Sequence, residues 1–571
     1  MNADVRDLEE RRREFDTALA DQWEYELREC PEFATTIGDY RYNDRWSEMS
    51  LEHMEKRRND LEAWLARFNA IDTAGFDEQD RLDHRLMVRN LAEQLEAMAF
   101  KNYEMPVDQL DGPHLVLAHY VSQMPFDTAQ HYEDYIARLH SLPRVFDQVV
   151  ELMEQGKRDA LMPPRYLLEK TIVQCAEPAG VANTFGRPAA SLPESIDTRS
   201  RERLRDEVLR AVDEEVRPAY LRFADFIARE YAPFGRTDEG IWSLPDGAAR
   251  YRFSVRELTT TDLEPEAIHR LGLEEVDRIE AEQLAIARRL GFASLDDFKT
   301  SLATERRLVP TSREHIIEVY RGYISQMEPQ LPKLFGLLPQ ARVEVRPTEE
   351  YREKEAAGAG YSRGTPDGSR PGIVFVNTGD FANRSLIGAE ATAYHEALPG
   401  HHLQISIAQS LPALRPFRQY GYYGAYMEGW ALYSERLGKD IGFYQDPYSD
   451  FGRLSEELLR AARLVLDTGV HHKRWTREQM IEYFRAHSFI DETDIQAETD
   501  RYIVMPAQAL SYKLGQLEIL RLREKAEREL GARYDIRAFH DRILEGGALP
   551  LDILGERVTR WIEEETRLPG R

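Results

Sequence analysis

The sequence YHEALPGHHLQ at residues 394–404 places two histidines six positions apart. Successive residues of a regular helix turn by about 100°, so His395 and His401 would point to different faces of it. Pro399 has no N–H to donate to the carbonyl of residue 395, and its ring clashes there, so the helix must kink or bulge. Gly400 then tolerates unusual backbone angles. A bulged turn would return His401 to the side of His395, which predicts a metal site on an interrupted helix.

The chemistry of these residues favours zinc. A zinc hydrolase needs two imidazoles and a carboxylate as ligands, an open position for water, and a second carboxylate as general base. His395 and His401 supply the imidazoles, and Glu396 is placed to act as the base. In the downstream segment QYGYYGAYMEGWALYSERLG, Glu428 and Glu435 are seven residues apart, on one face of a predicted helix. Either can supply the third ligand, and the other would accept a hydrogen bond from a ligand histidine.

Composition limits the classes of partner. The 571 residues include 75 Lys and Arg against 101 Asp and Glu, a formal net charge of -26, which does not favour nucleic acid or an anionic membrane. Cys30 and Cys175 are too few for a disulfide framework. The first residues are charged throughout, and the sequence has no apolar run of about eighteen residues. We expect a cytoplasmic monomer or homodimer with no nucleic acid or membrane partner.

Helical periodicity dominates the sequence. Residues 7–30, 127–157 and 201–231 place apolar side chains three or four positions apart with charges between them, as amphipathic helices do. A chain of this length also exceeds what one core usually supports. We predict a mostly α-helical protein with an N-terminal lobe at 1–235 and a catalytic lobe at 236–571.

Three short segments break the helical pattern. Residues 249–260, 341–347 and 371–379 are rich in β-branched or aromatic residues and are bounded by turn formers, so they read as strands. The segment 356–371 is the richest in Gly, Ser and Pro and reads as a loop. We predict a small antiparallel sheet beside the metal helix.

Three motifs carry a family resemblance. HExxPGHxxQ begins at His395, EGWALYxE begins at Glu428, and RYxxxPxQALSYKxGQ follows near the C-terminus. Together they resemble DUF885, a bacterial family of unknown function. The resemblance implies a bilobal, helical, gluzincin-like architecture of the neurolysin and angiotensin-converting-enzyme type, with a cleft between the lobes. It also implies that His395, His401 and Glu428 are the metal ligands and that Glu396 is the base.

Further site candidates surround these motifs. His402 is predicted to support the site or line its pocket rather than bind metal. Tyr512 could donate a hydrogen bond to a tetrahedral oxyanion, and Arg501 or Lys513 could hold a substrate carboxylate, with Tyr502 beside them. The alternative for each is a solvated charge or a tyrosine that packs between helices.

The strand GIVFVNT at residues 372–378 precedes the metal helix. It could be an edge strand to which an extended peptide adds by backbone hydrogen bonds, which would make Val376 and Asn377 substrate-binding residues. The alternative is an ordinary buried strand.

These observations favour a zinc-dependent hydrolase that cleaves peptide or amide bonds of short peptides, as a carboxypeptidase or dipeptidase does. Two alternatives stay open. Two histidines and one carboxylate also form the facial triad of non-haem iron oxygenases. The chain could also be a non-catalytic helical binding protein. A glutamate beside the first ligand histidine favours hydrolysis.

Overall fold

The chain folds into two compact units, Met1–Asp238 and Glu239–Arg571, and both are mostly helical. The computed structural model describes residues 3–181, 183–302, 305–350, 353, 356–366 and 368–567. No helix in these ranges is both long and apolar enough to cross a membrane.

Long amphipathic helices form the first unit, and the three helical segments predicted there are confirmed. In α6, Leu139, Leu142, Phe146 and Val149 are buried at helical spacing and form one side of the core. The helices of this unit are α1 (Ala3–Glu29), α2 (Pro31–Ile37), α3 (Leu51–Asn69), α4 (Glu78–Ala99), α5 (Pro113–Tyr120), α6 (Ala129–Arg158), α7 (Arg165–Gln174), α8 (Thr198–Ala211) and α9 (Arg217–Phe226).

The second unit is built around a helix that is buried on every side, α18. Its helices are α10 (Gly247–Thr259), α11 (Pro265–Arg289), α12 (Leu295–Leu302), α13 (Arg313–Met327), α14 (Ala389–Glu396), α15 (His401–Ser410), α16 (Pro416–Gln419), α17 (Gly424–Asp440), α18 (Pro447–His471), α19 (Arg477–His487), α20 (Glu492–Val504), α21 (Leu510–Leu530), α22 (Ile536–Leu544) and α23 (Leu551–Arg567).

The strand predicted at residues 249–260 is wrong, because this segment forms α10. Tyr251, Phe253 and Val255 alternate as they would in a strand, and all three are buried. Tyr251, Val255 and Thr259 also lie four residues apart, on one face of a helix that packs against α17 and α21. Because this helix is buried on more than one face, its apolar residues alternate in the sequence as those of a strand do, and this alternation caused the wrong prediction.

The sheet is mixed, not antiparallel as predicted. Two of its strands, β1 (Val343–Pro347) and β3 (Gly372–Val376), lie in predicted strand segments and pair in parallel. The strand β2 (Ala359–Ser362) lies in the segment predicted as a loop and pairs antiparallel with β3. The order is β1–β3–β2, so β3 is the central strand. Of the two alternatives for this segment, the edge strand is wrong and the buried strand is confirmed.

Two glycines let α17 and α21 touch. A side chain on Gly515 would overlap the carbonyl oxygen of Ala425, and one on Gly429 would overlap the backbone of Gly515. Because neither glycine has a Cβ, the two backbones approach closely at this crossing. Gly515 lies three residues after Tyr512 on α21, and Ala425 and Gly429 flank Glu428 on α17, so the contact lies about one turn from Tyr512 and beside the turn that carries Glu428.

Candidate metal centre

The predicted interruption of the metal helix is present. Helix α14 ends at Glu396, α15 begins at His401, and residues 397–400 connect them. The N–H of Gly400 donates to the carbonyl of Tyr394 at 2.9 Å. A methyl group on Gly400 would overlap the carbonyl oxygen of His395, so only glycine fits this connection.

Helix α17 holds this connection in place. The indole Nε1 of Trp430 donates to the carbonyl of Pro399 at 3.0 Å. Trp430 is fully buried, and Tyr426 on the same helix donates to the carbonyl of Ile543 at 3.0 Å. The hydrogen bond from Trp430 therefore ties α17, which carries the candidate carboxylate ligand, to the histidine segment. The hydrogen bond from Tyr426 ties α17 to α22.

His395, His401 and Glu428 offer ligand atoms that lie within 4.8 Å of one another. Glu428 Oε2 is 3.5 Å from His395 Nε2 and 3.3 Å from His401 Nε2. Tetrahedral zinc with ligand bonds of about 2.0–2.2 Å separates its ligand atoms by roughly 3.3–3.6 Å. The distances from Glu428 Oε2 to the two imidazole nitrogens therefore fit a zinc ion.

The electrostatics of this triad also fit a cation. Burial alone would lower the pKa of His395, but the carboxylates of Glu428 and Glu435 beside its ring raise it to about 10. Burial would raise the pKa of Glu428, but the positive charges of His401 and His395 hold it well below its usual range. Glu428 Oε2 and His401 Nδ1 are buried without a hydrogen bond. A buried, ionised and unsatisfied carboxylate oxygen between two imidazoles is suited to a metal ion.

Glu435 contacts the opposite side of the His395 ring. His395 Nδ1 donates to Glu435 Oε1 at 2.8 Å, and Arg460 lies 3.9 Å from the same oxygen. Burial raises the pKa of Glu435, which Arg460 and His395 oppose. This hydrogen bond turns His395 Nε2 toward Glu428, so the structure places Glu428 in the triad and Glu435 behind it.

Glu396 is the last residue of α14 and directly follows His395. Its side chain is buried, and among the described residues it forms no hydrogen bond or ion pair. A carboxylate without a competing partner beside a metal triad is available to accept a proton.

Tyr512 lies close to His395, the first candidate ligand. Its ring stacks near that of His395, with the ring centroids 6.2 Å apart. Its hydroxyl oxygen accepts hydrogen bonds from Arg501 Nη2 at 3.0 Å and Gln508 Nε2 at 3.4 Å. Because both lone pairs of the oxygen are used, the hydroxyl proton remains free for another acceptor.

The structure contradicts the substrate-binding role predicted for Lys513 and Tyr502. Lys513 is fully buried and pairs with Glu275 at 2.9 Å and Glu457 at 2.8 Å. Tyr502 is also buried, and its hydroxyl donates to Glu498 Oε2. Arg501 pairs with Glu498 at 3.2 Å and orients Tyr512. Each of these three side chains is therefore held by partners within the protein.

His402 and the β3 residues also have structural partners. His402 Nε2 donates to the carbonyl of Ala341 at 3.0 Å, and its Nδ1 accepts from the Tyr361 hydroxyl at 3.0 Å, so it joins α15 to the sheet and not to the triad. Burial lowers the pKa of His402 to about 4. Val376 is buried in the central strand, and Asn377 donates to backbone carbonyls. His402 therefore supports the sheet and not the metal triad, unlike the prediction. The side chains of Val376 and Asn377, predicted to bind substrate, are buried within the protein.

Family and structural comparisons agree with this architecture. The family described as "Bacterial protein of unknown function (DUF885)" matches residues 31–558. The chain belongs to the DUF885 family. No functionally curated protein is detectably similar to this DUF885 protein.

Two solved structures resemble this DUF885 protein over nearly its whole length. The "putative lipoprotein from Colwellia psychrerythraea" has a TM-score of 0.91 and 29% identity and covers 97% of this chain and 99% of its own. The "putative lipoprotein of unknown function from Shewanella oneidensis" has a TM-score of 0.69 and 18% identity, and the match covers 95% of this chain and 98% of the Shewanella chain. The second likeness shows the fold alone.

The motifs of the DUF885 protein did not reveal the cations around Tyr512. Arg463 lies over the Tyr512 ring at 4.3 Å, and Arg460 lies 6.0 Å from it. Both come from α18, where LLRAARLVL places two arginines three residues apart within an apolar helix. Two arginines inside an otherwise apolar helix were the sequence signal that could have predicted these cations, because buried arginines need partners.

Proposed function

We propose that this protein is a zinc-dependent hydrolase that cleaves peptide or amide bonds of short peptides. The observation that carries the proposal is the convergence of two imidazole nitrogens and the buried Glu428 oxygen, with an unpaired glutamate next to His395. Tyr512, with a free hydroxyl proton beside the triad, adds a donor for a developing oxyanion.

The residues present fit zinc better than a redox metal. His395, His401 and Glu428 would hold the ion, with spacings that match a tetrahedral site. An iron oxygenase uses the same three donor types but needs no general base beside them. Glu396 is therefore the residue that favours hydrolysis over oxidation.

The chain's own residues supply the proton transfers. When bound, zinc supplies Lewis acidity toward a carbonyl oxygen and lowers the pKa of water. Glu396 takes one proton from the attacking water and returns it to the leaving amine, so that one water is consumed for each bond cleaved. Tyr512 donates its hydroxyl proton in a hydrogen bond to the carbonyl oxygen as negative charge develops there.

Activity on a panel of dipeptides and short peptides tests the proposal. We expect turnover that a chelator removes and that zinc restores. Glu396→Gln should keep its metal and lose about 10²–10⁴-fold in kcat. Glu390→Gln removes a carboxylate from the same helix, where it bonds Tyr394 and Ser449, and should retain activity. Iron instead of zinc in the purified protein, or zinc without turnover of any panel peptide, would contradict the proposal.

The compartment is part of the same proposal. The sequence analysis predicts the cytoplasm, whereas the lipoprotein description of the Colwellia psychrerythraea structure favours export and a lipid anchor. Fractionation of the producing bacterium distinguishes the two, because an anchored protein sediments with membranes and is released by detergent.

A further inference from the structure

Arg363 directly follows β2, and none of the carboxylates that the structure describes pairs with it. Among the described residues, its guanidinium forms no ion pair and no hydrogen bond, and its nearest aromatic partner is Tyr420, whose ring centroid is 5.9 Å away. Burial lowers the pKa of Arg363, and among the described residues Tyr361, Tyr420 and Tyr422 oppose this. A partly buried cation without a counter-ion costs free energy in a protein of net charge -26, where carboxylates are abundant.

The backbone around Arg363 is tied to the helix that begins with His401. Two residues before it, the hydroxyl of Tyr361 donates to His402 Nδ1 at 3.0 Å. One residue after it, the carbonyl of Gly364 accepts from Gln409 Nε2 at 3.2 Å. Both partners lie on α15, so the position of Arg363 is fixed relative to a candidate metal ligand.

Arg363 also lies near the segment that leads to Glu428, because its guanidinium is 5.9 Å from the ring centroid of Tyr420. Tyr420 and Tyr422 lie between α16 and α17, a few residues before this candidate ligand. Burial raises the pKa of Tyr422, as do Glu428 and Tyr512, whereas Arg501 and Arg363 lower it. Tyr422 is 53% exposed and lies within electrostatic range of both Arg363 and the triad.

The other cations around the triad are already paired. Arg501 pairs with Glu498, Lys513 with Glu457, and Arg460 with Glu456. Each of these cations thus has a carboxylate partner, and Arg463 shares Glu498 with Arg501. Arg363 differs from them because no carboxylate in the described part of the chain pairs with it.

We infer that Arg363 binds a carboxylate of the substrate and thereby selects peptides with a negative charge near the cleaved bond. The planar guanidinium presents paired N–H donors that match a carboxylate. The inference rests on the proposed peptide hydrolysis and assigns to Arg363 the anchoring role that the sequence suggested for Arg501 or Lys513. The carboxylate can be the C-terminus of a short peptide or an acidic side chain.

Kinetics with matched substrates separate these two sources. The fastest free-acid peptide of the panel is compared with its C-terminal amide and with an amide that carries Glu at the last position. We expect Arg363→Gln to lower kcat/KM for the free acid by roughly ten- to a hundredfold, mainly through KM, and to change the neutral amide less than about threefold. A loss confined to the Glu-containing amide would assign the site to acidic side chains.

Two variants control for the loss of a surface charge and of structure. Arg346→Gln removes an exposed arginine that pairs with Glu344 on β1 of the same sheet, and it should leave all three substrates unchanged. Arg363→Lys keeps the positive charge but loses the paired N–H donors of the guanidinium. Compared with Arg363→Gln, it should recover part of the preference for the free-acid peptide.

Binding without turnover separates this inference from the proposed function. Acetylated dipeptides of the panel, as acids and as amides, are titrated calorimetrically into Glu396→Gln with and without Arg363→Gln. Tighter binding of the acids that Arg363→Gln abolishes supports the anchor even if no peptide is hydrolysed. Equal binding of acids and amides when Arg363 is present, no binding of any acid, or an equal loss for acids and amides in Arg363→Gln would overturn the anchor and leave the hydrolysis test unaffected.

Discussion

The carboxylates of Glu428 and Glu435 lie on one face of α17 and differ in what they contact. Glu428 Oε2 faces both imidazole Nε2 atoms, whereas Glu435 accepts from the outer nitrogen of His395. We predict that Glu428→Gln loses the metal and that Glu435→Gln keeps it with about 10–100-fold weaker affinity. Competition with a zinc chelator measures both affinities. The reverse order would exchange the two roles.

Tyr512 and Tyr502 form a matched pair for testing the oxyanion donor. Tyr512→Phe should lower kcat by about 10²–10³-fold with little change in KM or metal content, because it removes a donor used in the transition state. Tyr502→Phe removes a hydroxyl bonded to Glu498 and Arg463, so it should reduce stability and leave kcat within about threefold. Steady-state kinetics of both variants, with zinc analysis, measure the difference. Equal losses in kcat would mean that Tyr512 acts only in packing.

The two histidine ligands could be predicted from sequence because their information is local: Pro399 and Gly400 between them indicate the interruption. The seven-residue spacing of Glu428 and Glu435 indicates a shared face of α17 but leaves open which of them is the ligand, and the family resemblance favoured Glu428. The role of Lys513 could not be predicted. Its partners Glu275 and Glu457 come from α11 and α18, and only the tertiary packing brings them to it.

At the scale of elements, the crossing of α17 and α21 positions Tyr512 against the triad. Gly515→Ala places a methyl group against the Ala425 carbonyl and should destabilise the protein by about 1–3 kcal/mol and lower kcat. Gly322→Ala is the matched control, because nothing lies within 4 Å of the added methyl group on α13. It should stabilise by about 0.5–1 kcal/mol and leave kcat unchanged. Thermal unfolding and kinetics of both variants test this, and a stable, fully active Gly515→Ala would contradict it.

The elements differ in how far the sequence predicts them. The amphipathic helices of the first unit follow a period that their own residues set. Strand β2, by contrast, is a Gly-containing segment whose extended form depends on pairing with β3, and α10 is buried on several faces and imitates a strand. Both errors arise because neighbours, not local propensity, decide the outcome.

At the scale of the whole molecule, stability should depend on pH through Asp467 on α18. This fully buried carboxyl accepts from the Tyr251 hydroxyl at 2.6 Å and from the N–H of Ala507 at 2.9 Å, which joins three segments of the second unit. Burial raises the pKa of Asp467 to about 7, against the lowering by these hydrogen bonds. The folded pKa lies above the unfolded value of about 3.9, so this contribution to stability is full below that value and is lost as pH rises through 7.

Denaturant unfolding between pH 5 and 8 measures this dependence. Asp467→Asn carries no titrating group and should flatten the fall in the free energy of unfolding between pH 5 and 7. Asp450→Asn is the control, because burial raises the pKa of Asp450 but Lys439 and Arg453 together hold it below its usual value, outside this range. An unchanged slope in Asp467→Asn would show that Asp467 is ionised throughout.

Anomalous diffraction at the zinc edge from crystals of the purified protein is the most direct measurement of the central claim. We predict one peak about 2 Å from His395 Nε2, His401 Nε2 and Glu428 Oε2, the bond length of protein zinc sites. A peak at His402 or Glu435, no peak in protein supplied with zinc, or a peak only at the iron edge would contradict the proposed metal centre.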